Sequence, residues 1–176
     1  MTRAVPTSSV SRSRSAGFAI LRILFGVVWA IDASFKWQSA FVNAFAGYLA
    51  GALKGQPPAA HAWIEFWLGI IRVNPTLFAR LIAVCETSLA IALILGILTN
   101  LACAGGAVLS FMIWSTAEGF GGPYHPGSTD IGTSIVYIFV FAALLLGSAG
   151  RRFSVDQYLA PRLRQWAFLA SGRTRT

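Results

Sequence analysis

Charge is scarce in this chain. Of its 176 residues only 11% are Asp, Glu, Lys or Arg, against roughly 25% in soluble domains. Hydrophobic residues make up 56% and mean hydropathy is +0.65, the composition of an integral membrane protein. Cysteine is equally sparse. Cys85 and Cys103 form no CxxC pair and no metal-ligand spacing, and in the spans assigned below their depths differ by roughly 14 Å, too far for a disulfide. The two histidines, His61 and His125, both fall outside the apolar runs, so neither pairs with another to hold a haem between helices. No Rossmann or Walker glycine pattern, no Ser/His/Asp set and no internal repeat stands out. Haem, flavin and metal signatures are therefore missing, and the length fits one domain.

The few charges are unevenly placed. Net charge is +8, but the arginines do not form a nucleic-acid stripe. Arg3, Arg12 and Arg14 precede the first apolar run, and Arg151, Arg152, Arg162, Arg164, Arg173 and Arg175 follow the last. Basic clusters that flank apolar runs mark the cytoplasmic face and its anionic lipids. No nucleic-acid partner is expected; the bilayer is.

Four runs are about the length a bilayer requires, at residues 17–37, 75–98, 101–117 and 130–149. Arg22 inside the first run argues against a cleaved signal peptide. The tight Thr99-Asn100 connection makes its neighbouring helices antiparallel. The expectation is an all-α, four-helix transmembrane bundle over residues 16–150, multi-pass in the plasma membrane, with both termini cytoplasmic. Residues 1–15 read as a disordered basic N-terminus and 151–176 as a basic amphipathic tail on the inner leaflet, with Ser154 as its cap. Residues 41–53 and 62–71 are apolar but too short to span. Separated by Gly55-Gln56-Pro57-Pro58, they read as a short interfacial helix pair between the first and second spans, with Trp63, Phe66 and Trp67 on one aromatic face. Small residues at four-residue spacing, Ser88/Ala92/Gly96 and Ala102/Gly106/Ser110, read as close-packing stripes.

Charged groups inside apolar runs must find partners, because each costs at least ~2.5–3.5 kcal/mol at the bilayer centre. Arg22, Asp32 and Lys36 fall within an arc of roughly 80° on the first helix, one inward stripe, and Asp32 and Lys36 are also an i, i+4 pair. Glu86 is the deepest acid, near the centre of the second run. Arg22 and Tyr137 are its expected partners, and Arg80 that of Asp32 by depth. A carboxyl left without a full partner becomes a proton carrier; the structural alternative is an ion pair that fixes helix register. In the outer segment Ser115–Gly132, Glu118 sits at a helix C-terminus, where an anion is disfavoured, and Lys36 or Arg80 is expected to compensate it. Asp130, beside Thr129, is placed to cap the fourth helix. Gly121, Gly122, Pro123, Pro126 and Gly127 fix a tight path over the polar stripe, with Tyr124 and His125 exposed to a substrate at a pocket mouth.

The runs LRILFG…FKW, CETSLAIALILGILTN, GFGGPYHPGSTDIGTSIVYIFVFAALLLG and GRRFSVDQYL resemble the DoxX/DoxD family over roughly residues 17–160. The resemblance implies a four-helix membrane protein and, in the family's best-known members, a small subunit of a thiosulfate:quinone oxidoreductase. By match to the motifs it carries over Arg22, Lys36, Glu86, Gly122, Pro123, Tyr124 and Asp130, without assigning their roles. On this reading Glu86, Arg22 and Tyr137 are the catalytic candidates, and Asp32, Lys36, Arg80, Glu118, Tyr124, His125 and Asp130 contact substrate. Quinone is the co-substrate, with no other cofactor identified. Lys36, Arg72 and Arg80 would draw an anionic sulfur substrate from outside, and a second protein subunit or further copies of the chain are the partners. The alternative is a non-catalytic membrane module that anchors or assembles a redox complex, or passes a small solute.

Overall fold

The structure, a computed structural model, describes residues 7–126 and 128–171. Arg3, Gly127, Arg173, Arg175 and the side chain of Arg12 lie outside the described residues. Within them the chain is all-helical, without a strand. The helices are α1 (Thr7–Lys36), α2 (Ser39–Ala52), α3 (Pro58–Val73), α4 (Pro75–Leu95), α5 (Thr99–Ser115), α6 (Ser134–Leu146) and a single turn, α7 (Asp156–Leu159). Short 3₁₀ turns lie at Gly119–Gly121, Ala149–Arg151 and Arg164–Leu169.

Two of these helices, over Ser13–Lys36 and Pro75–Leu95, are long and apolar enough to cross a membrane. α5 and α6 are apolar but shorter. α1 starts earlier than its apolar run, so residues 7–15, expected to be disordered, are helical from Thr7. No proline or glycine interrupts residues 7–16, and extending a formed helix costs far less than nucleating one. α6 starts later than expected, at Ser134, because Gly132 has φ +88°, a left-handed conformation that stops a helix from reaching back to Asp130. α3 and α4 each open with proline at the first helical position (Pro58, Pro75), and the Asn74 side chain caps α4 by accepting from Leu77 N at 3.0 Å.

α1 packs antiparallel to α4, and α5 to α6. Gly26 lets α1 close on Leu93 and Ile94 of α4, and Gly106 lies under the Phe141 ring. The α5 stripe expected from the sequence is partly buried, at Gly106 and Ser110. In the second stripe Gly96 is buried against Arg22, Ala92 is half-buried and Ser88 is exposed, while Ala79, Ala83 and Ala90 are the small residues buried within α4. Phe25 and Trp29 of α1 meet Phe141 of α6 at ring separations of 4.9 and 5.9 Å, and with Leu89, Leu93, Cys103 and Leu144 they form the main core.

α1 and α4 are staggered. Arg22 meets Gly96, Gly26 meets Ile94, and Trp37 Nε1 donates to Thr87 Oγ1 at 3.0 Å. α1 therefore ends opposite the middle of α4. The first half of α4 is covered by α2 and α3 through a second core of Phe45, Leu49, Ile64, Leu68, Ile71 and Ala79, with Ala117 at its edge. The helix pair is thus a packing partner of α4, over longer ranges than residues 41–53 and 62–71.

Candidate functional site: polar centres at the two ends of the α1–α4 contact

The stagger decides which charges meet. Because Lys36 closes α1 beside the midpoint of α4, its Nζ lies 2.8 Å from Asp32 Oδ2 and 3.4 Å from Glu86 Oε2. It also sits 5.4 Å from the centre of the Phe41 ring, which receives the cation from the start of α2. Glu86 is fully buried, Lys36 keeps 18% of its side-chain surface, and Asp32 keeps 47%. Among the described residues neither Glu86 oxygen accepts a hydrogen bond, so the Lys36 contact is ionic only. Two carboxylates face one ammonium. With all three charged the centre holds one uncompensated negative charge, which a proton or a cation brought through the half-exposed Asp32 would balance.

Two expected members of this site are elsewhere. Arg22 is about ten residues of α4 away from Glu86, roughly 15 Å along the helix. It is fully buried at the opposite end of the contact, where Nη2 donates to Phe153 O at 2.6 Å. Tyr137 packs edge-on against Phe25 at 5.2 Å and beside Trp29 at 5.7 Å, and makes no hydrogen bond to Glu86. On the sequence alone Arg22 is expected to reach toward Glu86 from the first run, and the stagger carries it out of reach. Arg80 is exposed, as is Arg72, and does not pair with Asp32, whose partner is Lys36.

The connection between α5 and α6 is organised by Glu118. α5 ends at Ser115, and the 3₁₀ turn at Gly119–Gly121 sends the Glu118 carboxylate across to the start of α6. There Oε1 accepts from Ser134 Oγ at 2.7 Å and Oε2 from Ser134 N at 3.1 Å. Glu118 is the cap of α6, at a helix N-terminus where a negative charge is favoured, and it needs neither Lys36 nor Arg80. Asp130, the expected cap, instead folds onto its own backbone and accepts from Ile131 N at 2.7 Å and Gly132 N at 3.1 Å. Trp114 Nε1 ties the same stretch down by donating to Ile131 O at 2.8 Å. Tyr124 and His125 are exposed. The Tyr124 hydroxyl donates to Phe120 O at 2.6 Å, and His125 N donates to Ser128 Oγ at 3.1 Å. Neither reaches the Asp32–Lys36–Glu86 centre.

At the opposite end Asp156 was not anticipated. It is fully buried and accepts from Leu98 N at 2.7 Å, Thr99 N at 2.9 Å and Ser171 N at 2.9 Å. It therefore caps α5 from the C-terminal tail. Val155 N and Asp156 N continue onto Leu95 O and Gly96 O, both at 3.0 Å. Asn100 Nδ2 donates to Phe168 O at 2.9 Å and Ala170 O at 3.2 Å. As far as residue 171 the tail is thus not one amphipathic helix but one α-turn and 3₁₀ turns folded onto the α4–α5 connection. Ser154 caps no helix, since its Oγ donates to Gly150 O. The available signal was that Asp156 is the single acid in an otherwise basic tail.

Cys85 is exposed and Cys103 buried, and both are free thiols. Among the described residues no group of three or more His, Cys, Asp or Glu is placed to hold a metal ion. Compared with protein-family models, with curated proteins and with solved structures, the chain finds no match.

Proposed function

We propose that the chain is a multi-pass plasma-membrane protein, crossed by α1, α4, α5 and α6 with both termini cytoplasmic, and that its Asp32–Lys36–Glu86 centre serves a protonation step in a quinone-linked oxidoreductase complex. The membrane reading is supported by what the helices leave uncovered. Ile20, Leu24, Ile31 and Phe35 on α1, Leu81, Val84, Ile91 and Leu95 on α4, and Phe139 and Leu146 on α6 are all exposed. A soluble monomer rarely presents apolar surface so continuously. α6 covers about 20 Å at 1.5 Å per residue, less than a ~30 Å hydrocarbon core. Ile131, just before it, is anchored to α5 by Trp114, and its first residue, Ser134, is held by Glu118; irregular backbone at membrane depth needs such protein contacts.

The observation that carries the functional reading is the fully buried Glu86 carboxylate, paired ionically with Lys36 and given no hydrogen bond among the described residues. Ionisable groups at such depth mark proton or substrate routes in membrane proteins. The resemblance to DoxX/DoxD small subunits suggests quinone as the acceptor, a thiosulfate-type donor and a second subunit that brings the electrons. The test is quinone reduction by the chain co-purified with its partner. Glu86→Gln is expected to abolish turnover while helicity and membrane insertion are unchanged. Wild-type turnover in that variant removes the centre from the mechanism.

A second reading, a non-catalytic module that anchors or assembles a redox complex, is favoured by the dispersal of Arg22 and Tyr137 away from Glu86. Under it the Lys36–Glu86 pair only sets the α1–α4 register. Capture from native membranes, with partners identified and quinone content measured, separates the two.

A further inference from the structure

We propose that the groove between the α2–α3 turn and the lid at residues 119–124 binds one acyl chain of a membrane lipid. The groove encloses about 840 Å³, within the ~300–1,000 Å³ range of ligand sites. Trp63, Phe111, Phe120 and Tyr124 supply rings to its walls, with Pro57 and Pro123 between them, and among the described residues no charged one lines it.

Its polar groups are turned inward. Gln56 Nε2 donates to Gly119 O at 3.0 Å, Trp63 Nε1 to Ser115 Oγ at 3.1 Å, and the Tyr124 hydroxyl to Phe120 O at 2.6 Å. A ligand that depends on hydrogen bonds or charge finds little here, whereas an aliphatic chain loses nothing by entering. These bonds also hold both walls in place, and Gly55 approaches Pro123 so closely that an added Cβ would lie 3.1 Å from its ring. The cavity is therefore preformed, and a chain entering it pays little to order the protein.

Continuity selects a lipid over a small apolar solute. Phe111 belongs both to the groove and to an exposed apolar stripe on α5, with Val108 and Leu101 one and three turns below it. From Leu101 to Phe111 the stripe runs about 15 Å at 1.5 Å per residue. A long chain fits groove and stripe together, while a compact solute uses only the groove. The inference rests on the membrane reading above, not on the Asp32–Lys36–Glu86 centre.

The experiment places the full chain in nanodiscs containing phosphatidylcholine with a photoactivatable diazirine on one acyl chain, and maps the cross-links. Labels are expected to concentrate on Trp63, Phe111 and Phe120 relative to Phe139, which is 67% exposed on α6 and reports ordinary lipid contact. Ala60→Phe fills the groove and is expected to reduce the groove labels to the Phe139 level without changing Phe139 itself. Ala59→Phe serves in its place if the first variant loses helicity. Equal labelling of groove and Phe139 in the unaltered protein, or groove labels that survive the filling substitution, overturns the proposal. Carbonate extraction of native membranes is run in parallel. Release of the chain sinks the membrane reading, whereas retention with uniform labelling sinks the groove alone.

Discussion

Lys36→Met removes the cation that, among the described residues, pairs with Glu86 and nearly preserves side-chain volume, so it isolates the electrostatic contribution of the centre. At the 3.4 Å separation, Coulomb's law with an effective dielectric of about 20 gives about 5 kcal/mol. Removing one partner of a buried pair costs ~3–5 kcal/mol, because the survivor is left charged and dry. Proton uptake by Glu86 offsets part of this, so a loss of about 3 kcal/mol is expected. Glu86→Gln combined with Lys36→Met removes both charges together and should lie within about 1 kcal/mol of wild type, because well-packed neutral replacements of buried pairs are often tolerated. The coupling energy in the cycle is then at least about 2 kcal/mol, well above the few tenths found between independent sites. Asp32→Asn is the control. Asp32 also contacts Lys36 but keeps 47% of its side-chain surface, so its loss should stay under about 1 kcal/mol. Reversible unfolding in mixed micelles, followed by tryptophan fluorescence, gives all four values. If Lys36→Met lies within about 0.5 kcal/mol of wild type, the scale of a neutral surface change, or if the two substitutions are simply additive, the pair does not hold α1 against α4 and the reasoning fails.

Two further predictions use the same unfolding assay. Glu118→Ala should destabilise by about 1–2 kcal/mol, the cost of losing a helix cap, and Asp130→Ala by about 0.5 kcal/mol or less; the reverse order would restore Asp130 as the cap of α6. Asp156→Ala strands three backbone N–H groups, two of them on buried residues (Thr99 and Ser171). It should cost at least about 2 kcal/mol and expose the tail to protease, and an intact, protease-resistant tail in that variant would contradict its role.

The sequence made the helices legible because apolar runs and prolines act locally. The break at Gly55-Gln56-Pro57 and the start at Pro75 follow from backbone chemistry alone, whereas Pro58, read as part of the break, instead opens α3. The i, i+4 pairing of Asp32 with Lys36 was equally local. What the sequence concealed was the stagger of α1 against α4, a property of side-chain interlock between residues fifty or more positions apart. Matching depths along the apolar runs assigned Arg80 to Asp32 and let Arg22 reach toward Glu86, whereas packing assigned Lys36 to both acids. The caps were misread for a related reason. Proximity in sequence favoured Asp130 for α6 and offered nothing for α5, yet both helices are capped across loops, by Glu118 from sixteen residues upstream and Asp156 from 57 downstream.

The donation of that second cap from so far along the chain sets an order on biosynthesis. A ribosome that has just made Gly150 has released all of α5, but the amides of Leu98 and Thr99 still await their anion. Only when Asp156 and then Ser171 emerge does the start of the helix become complete. Capping of α5 therefore waits on the tail, and a nascent chain stalled before it presents quality-control machinery with an unfinished helix start.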